Sequence, residues 1–309
     1  EKAEAGGAEV AGVTARRLWV SAGEPSTRDP VGTARALERI KGRACWFHVS
    51  DWFSAALSND GSHERMLIGC EPVWVPSRWE DKLKGHASVR LQIRRAKKKG
   101  VVCEETRDLT GLAECQANWL KGHPLPPLSF LTEPSDLDNI TERRIFKATR
   151  AGRVEGFLVA APVPAIRGWL VEQIARMPDA PNGTTEALID AAMRTFADER
   201  ANMLTLGLAP LSPRCGMAPP SSRAVGRLMR WSRAHGKRFY NFDGVEHFKA
   251  KLRPDEWRPV YAVVPGKWSV RDLAAVLEAF TKRRPAAALA EMIGPAIVQE
   301  AMWIFRGRR

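Results

Sequence analysis

Four short stretches carry residue types and spacings that can do chemistry. The densest charge in the chain is the run Arg90, Arg94, Arg95, Lys97, Lys98 and Lys99. On a helix, Arg90, Arg94 and Lys97/Lys98 fall on one face at i, i+4 and i+7/i+8 spacing. Such a stripe is either a solvated face or a docking strip for the phosphates of a nucleic acid, where each contact adds salt dependence and no sequence information. The second stretch, GWLVEQIARMPDAPNGTTEALID (168–190), places Glu172 and Arg176 inside an apolar strand, where ionisable side chains are seldom needed for packing. It then turns through Pro181-Asn182-Gly183-Thr184 into a helix. Unpaired amides and the positive end of the dipole at a helix start make an anion site, with Gly183 permitting close approach. The plainer alternative is a helix cap that binds nothing. The third stretch, Thr205–Ser212, reads mostly as a core strand leaving into a loop. In the fourth, Lys249 and Lys251 stand near Phe248, Trp257 and Tyr261, a mixture of cations and rings suited to a phosphate or a nucleotide end.

The elements that must position these residues are set by periodicity. Residues 1–30 read as a poorly ordered lead with a short strand near Arg17–Ser21. A helix is expected over Pro30–Ile40, and strands over Ala44–Val49 and Arg65–Val75, the latter interrupted at Pro72. One helix is expected over Lys82–Lys99, ended by Gly100, and then a strand over Val101–Glu105. The proline-rich GHPLPP segment (122–127) is the clearest boundary. Beyond it, strands are expected at Arg144–Thr149, Val154–Ala161 and Gly168–Ile174, then a helix at Thr184–Arg200 and a strand at Met203–Ala209. Helices at Arg223–Gly236 and Val245–Lys251, a strand at Tyr261–Val264 and two amphipathic helices broken at Pro285 complete the chain. The hairpin–helix–strand order is that of acetyltransferase-like (GNAT) units, a statement about topology alone.

Composition bounds the class. Hydrophobic residues at 44% and charged residues at 27% of 309 suit a folded protein rather than a disordered one. The net charge of +13 and an isoelectric point near 9.9 argue for a polyanionic partner, nucleic acid or anionic lipid. Five scattered cysteines with no CxxC pair suggest reduced thiols and give no spacing for a metal. No signal peptide is visible and no run of about 18 apolar residues occurs, so membrane contact is expected to be peripheral. Eleven tryptophans stand against two tyrosines, and Trp303 beside Phe305 and Arg306 would suit a lipid interface.

Taken together, these stretches resemble the DUF2156 domain that forms the C-terminal catalytic region of aminoacyl-phosphatidylglycerol synthases. The similarity spans roughly residues 65–265 and is densest at 142–212. It is carried by IRRAKKKGV (93–101), FLTEPSD (130–136), GFLVAAPVP (156–164), VEQIARMPDAPNGT (171–184), TLGLAPLS (205–212) and FKAKLRPDEW (248–257). The resemblance implies an α/β (α+β) fold of two tandem GNAT-like acyltransferase domains with a C-terminal helical tail, divided at 1–125, 126–280 and 281–309. It implies an enzyme without acetyl-CoA, metal or other cofactor, which takes an amino acid from aminoacyl-tRNA and places it on the hydroxyl of phosphatidylglycerol. Such a protein would work in the cytoplasm, at the inner face of the cytoplasmic membrane.

Carried over residue by residue, the resemblance gives the acidic catalytic role to Glu172 and the basic one to Arg176. The chemistry of the residues adds Lys249, which with Arg176 suits neutralising the lipid phosphate, the terminal tRNA phosphate or the developing oxyanion. Asn182, Gly183, Thr184 and Lys251 suit substrate binding, and Arg90, Arg94, Arg95, Lys97 and Lys98 suit tRNA binding. The family's Asp-Leu-Met-Arg signature is replaced here by Glu172-Gln-Ile-Ala-Arg176, one residue longer between the charges. An aminoacyl ester is already activated, so the enzyme needs only to position an alcohol and stabilise an oxyanion. Glu172 suits either removal of the alcohol proton or anchoring of the amino acid's ammonium group. Two rivals remain: an acetyl-CoA-dependent N-acetyltransferase, disfavoured by a turn with one glycine where several are usual, and a non-catalytic RNA- or membrane-binding module of the same fold.

Overall fold

Small residues open the fold. In Ala8–Ala15 the residues Ala8, Val10 and Gly12 are buried and alternate with exposed ones, and Gly6 and Gly7, both at positive φ, turn this strand back on Lys2–Ala5. Two central residues at φ > 0 are what a tight hairpin with the native strand twist requires. The expected disordered lead is thus strands β1 (Lys2–Ala5) and β2 (Ala8–Ala15), leading to β3 (Leu18–Ser21). Its alternation is written in Ala, Val and Gly, too weakly apolar to stand out in the sequence.

The computed structural model describes residues 1–121, 142–216, 220–235 and 242–281. The 122–127 boundary, the FLTEPSD segment and the tail with Trp303 therefore lie outside the described residues. Helix α1 (Pro30–Lys41) starts with Pro30 in its first turn and Asp29 accepting from the Gly32 N–H. After it come β4 (Ala44–Val49), α2 (Asp51–Ser58) and β5 (His63–Trp74). The expected 82–99 helix is two helices, α3 (Trp79–Lys84) and α4 (Ala87–Lys98), separated at Gly85-His86. Then come β6 (Val102–Thr106), α5 (Leu112–Lys121), β7 (Arg144–Arg150), β8 (Arg153–Val163) and β9 (Gly168–Arg176). The chain continues with α6 (Thr184–Asp198), β10 (Met203–Thr205), β11 (Ala209–Pro210), α7 (Arg223–His235), α8 (Phe242–Lys251), β12 (Glu256–Pro265) and α9 (Val270–Thr281).

All strands join one mixed sheet in the order β1-β2-β3-β4-β12-β5-β10-β9-β8-β7-β6, with β11 also on β5. The late strand β12 enters between β4 and β5, and it is longer than its apolar stretch indicated. Arg43 ties the β12–α9 connection to the start of β4, making a two-pronged ion pair with Asp272 at 3.0 Å and bonding the Lys267 carbonyl at 3.1 Å. On one face of the second half, α4 and α6 cover Trp74, Phe146, Leu158 and Leu204, while α5 covers Ile145, Phe157 and Val159 on the other. In the first half α1 and α2 pack on one face and α9 on the other. Helix α4 and strand β6, which the expected division places in the first unit, pack with β7–β9.

Phe196 of α6 sits at the centre of this packing, stacked on Trp169 at 4.6 Å and edge-on to Phe146 at 5.6 Å. Replacing it with Leu keeps apolar volume but loses both ring contacts, so Phe196→Leu is expected to lower unfolding free energy by about 1–2 kcal/mol in a denaturant titration.

Candidate functional site

The seam between the sheet halves runs along β5 and β10. Leu204 and Thr205 of β10 pair with Trp74 and Val73, and the ladder resumes only where Ala209 of β11 faces Cys70. Residues 206–208 leave the ladder opposite Glu71 and Pro72; Pro72 has no N–H to offer there. Gly207 takes φ +69 in this excursion. Two carbonyls freed from pairing in a buried place need donors. Lys249 of α8 supplies them, its Nζ donating to the oxygens of Gly207 and Leu208 at 2.8 Å each. Beside it, the Thr205 hydroxyl donates to Glu71 Oε1 at 2.9 Å and accepts from the Gly207 N–H at 3.0 Å.

Lys249 is buried, and loss of hydration lowers its ammonium from the ordinary 10.5 to about 7, with the nearby Glu71 carboxylate opposing the shift. An amine poised at neutrality on a strand seam has both forms available, which is what proton transfer asks of a side chain.

Along one side of the seam β9 and β10 diverge. Their parallel pairing ends at Leu170 and Thr205, while β9 runs on to Arg176 paired only with β8. Leu170 lies against Gly207, so the diverging segment of β9 begins beside the carbonyls that hold Lys249. Two residues further along is Glu172. Gln173 pairs with Val159 and Val171 with Ala160, which leaves Glu172 as the extra residue of a β-bulge. Bulges re-aim side chains and end pairing, and they gather at sites of this kind. The Glu172 carboxylate is half-buried and accepts from Arg143 Nε at 2.6 Å.

The bulge also decides a question the sequence left open. In a regular strand, Glu172 and Arg176 would share a face. The inserted residue shifts the alternation. Glu172 meets Arg143, which by alternation lies on the α5 side with Ile145, whereas Arg176 follows Ala175 of that side and so points to the opposite face. There the Arg176 guanidinium donates to the Ala180 carbonyl at 3.4 Å. The structure does not bring the acid and the guanidinium together.

The turn into α6 is likewise built for packing. Gly183 has φ +95, and a Cβ there would stand 2.0 Å from the Gln92 carbonyl of α4. Its lack of a side chain serves the α4–α6 contact. The Thr184 hydroxyl donates to the Pro181 carbonyl at 2.7 Å, and Asn182 is exposed. Lys251 pairs with Glu186 in the first turn of α6 at 2.7 Å.

A concavity of about 230 Å³ lies on the outer surface between α3, α4 and α6. Leu83 and Ile93 form its apolar floor, and its rim sets five cations, Lys84, Arg90, Arg94, Lys97 and Arg194, against Glu80 and Asp190. Asp190 is buried and well held, accepting from Trp79 Nε1 at 2.9 Å and Arg194 Nε at 3.1 Å. Arg90, Arg94 and Lys97 thus share one groove, while Arg95 and Lys98 are exposed outside it. Lys84 and Arg194 escaped sequence reasoning because they come from other helices. Arg143 and Glu71 escaped it because their partners are distant in the chain. Among the described residues, no helix is long and apolar enough to cross a membrane and no cluster of three metal-ligating side chains occurs.

The family described as phosphatidylglycerol lysyltransferase, C-terminal, matches residues 3–264. Among solved structures, the DUF2156 C-terminal domain of a protein described as a lysylphosphatidylglycerol synthetase from Agrobacterium fabrum has a TM-score of 0.73 at 20% identity, covering 91% of this chain and 89% of that one. L-PGS from Bacillus licheniformis has a TM-score of 0.72 at 18% identity, covering 92% and 90%. FemX has a TM-score of 0.54 at 10% identity, covering 88% and 86%. At these identities the structures speak for the fold, which is the acyltransferase-like α/β architecture expected from the sequence. A search of curated proteins finds no match. The family match extends over most of the chain, from β1 to the end of β12, and takes in both the seam and the groove: the chain belongs to the phosphatidylglycerol lysyltransferase C-terminal family and is a transferase of that type.

Proposed function

We propose that the chain moves an amino acid from a charged tRNA to the hydroxyl of phosphatidylglycerol at the surface of the cytoplasmic membrane. Family membership supports the reaction class. The observation that carries the mechanism is the buried amine of Lys249, held near neutrality where β9 and β10 part.

In this reading the neutral amine of Lys249 takes the proton from the lipid hydroxyl as its oxygen attacks the ester carbonyl. The ammonium so formed returns that proton to the departing ribose oxygen of the tRNA. The ester is activated beforehand, so no nucleotide is consumed. Gly207 and Leu208 carbonyls orient the amine, and the Thr205–Glu71 pair shapes the polar wall beside it. Glu172, re-aimed by its bulge, anchors the ammonium group of the transferred amino acid. Arg176 has no part in this arrangement. Glu172→Gln is expected to lower transfer about 100-fold and Arg176→Ala to leave it within about twofold, measured as initial rates with labelled aminoacyl-tRNA.

The tRNA backbone is assigned to the cationic groove, with Arg95 and Lys98 beside it. Reversing charge in Arg94→Glu with Lys97→Glu is expected to raise KM for tRNA about tenfold at low salt and to flatten its salt dependence, with kcat unchanged. A change confined to the lipid dependence would assign the groove to the membrane instead.

The reading is tested by mass spectrometry of lipids from a host that contains phosphatidylglycerol but no aminoacylated form. Expression of the chain should produce phosphatidylglycerol heavier by one aminoacyl group, and the mass increment names the amino acid. Unchanged lipids would contradict the proposal.

A further inference from the structure

We propose that Cys70 and Cys215 form a reversible disulfide that staples the 211–216 loop to the central strand β5. Cys70 is fully buried on β5, opposite Ala209 of β11 and Pro259 of β12. Cys215 lies just beyond β11 and is half-buried, so it is the sulfur an oxidant reaches first. The Cys215 N–H donates to the Cys70 sulfur at 3.1 Å, which sets the two cysteines side by side. An N–H at that distance puts the Cys215 Cα at most about 4.6 Å from the Cys70 sulfur. A Cα-to-sulfur separation of that order is what an ordinary disulfide spans, so rotation about the Cys215 Cα–Cβ bond is the movement the link requires. Each thiol now rests on a carbonyl, Cys70 on Ser212 at 3.7 Å and Cys215 on Trp257 at 3.6 Å. The remaining cysteines, Cys45, Cys103 and Cys115, are dispersed over three different core clusters.

The chemistry balances with a peroxide as oxidant. The Cys215 sulfur attacks the O–O bond of hydrogen peroxide, giving a sulfenic acid and one water. The Cys70 sulfur then attacks the sulfenic sulfur and expels hydroxide, which takes the Cys70 proton to become a second water. Two thiols have given up two electrons and two protons, and a low-molecular-weight thiol reverses the step by exchange. Burial, and then the neighbouring thiol, hold Cys215 up at about 12, so the reaction is slow at neutral pH and quickens about tenfold per pH unit.

The staple acts on more than the loop. Arg214 lies over the Trp257 ring and pairs with Glu246 at 2.9 Å, and Glu246 is on α8, the helix that carries Lys249. Fixing Cys215 to β5 therefore restrains α8 against the seam. The inference goes beyond the transferase reading, and its test uses neither tRNA nor lipid.

The purified chain is treated with hydrogen peroxide at pH 8.5 and followed by intact mass, peptide mapping and thermal melting. The expected product is two hydrogens lighter, yields a linked peptide pair containing Cys70 and Cys215, and melts about 5 °C or more above the reduced protein. Dithiothreitol should reverse all three changes, and Cys215→Ser should show none of them. In Cys70→Ala, oxidation should stop at acids on Cys215. A different cysteine pairing, sulfinic acid on Cys215 with Cys70 left free in the unsubstituted chain, or an unchanged mass after prolonged oxidation would each overturn the proposal.

Discussion

Lys249→Met is expected to abolish aminoacyl transfer, by at least about 100-fold in kcat/KM, because in the proposed reaction it removes the group that carries the proton both ways. The same variant should reveal its charge in stability. The folded-state pKa of Lys249 lies near 7, below the 10.5 it regains in the unfolded chain. Between those values the unfolded chain binds more protons, so stability rises with pH across roughly pH 7 to 10.5 and is lower beneath that window. In Lys249→Met this contribution to the slope is gone. Two denaturant titrations, at pH 7 and pH 9.5, read the difference for each protein. The transfer rate of the unsubstituted chain should also climb through pH 7 as the amine loses its proton. A rate that is flat from pH 6 to 8 would remove Lys249 from proton transfer.

Gly183→Ala is expected to cost about 3–5 kcal/mol of unfolding free energy, a large loss for the addition of one methyl group in a turn. Two costs add. The residue keeps φ +95, which L side chains rarely adopt, and its new Cβ would meet the Gln92 carbonyl at 2.0 Å, so α4 and α6 must separate. The same two helices meet in the core cluster containing Val89, Ile93, Leu188 and Phe196. Because the cationic groove lies between the same helices, tRNA affinity should fall with stability. Denaturant titration gives the first effect and filter binding at fixed salt gives the second. A loss below about 1 kcal/mol would show that the turn relaxes freely and that the glycine has another reason to be there.

The difference between those two residues shows what could be read from the chain before its fold was known. Strongly periodic segments were legible: β4 spans Ala44–Val49 as its apolar run indicates, and α6 starts at Thr184 as the Asn-Gly-Thr turn indicates. Helix spacing also placed Arg90, Arg94 and Lys97 on one face, and they do line one groove. Strands β1 and β2 were not legible, because Ala and Gly alternate without much hydrophobic contrast. Glu172 and Arg176 show a deeper limit. Their spacing fits one face of a strand, but a bulge set by pairing with β8 inverts the alternation, and no local pattern announces it. Gly183 stood out as a place for close approach to a ligand, and the fold shows a packing demand there that the sequence does not announce, the Gln92 carbonyl of α4. Lys249 was marked by its aromatic neighbours, but its depressed pKa depends on burial against carbonyls some forty residues earlier in the chain.

Transfer itself can be watched most directly with the purified chain, tRNA charged with a labelled amino acid and vesicles containing phosphatidylglycerol. Label is expected in the organic phase only when protein, charged tRNA and phosphatidylglycerol are all present, and none with Lys249→Met. Label that stays on tRNA, or that is released only as free amino acid, would contradict the proposed function.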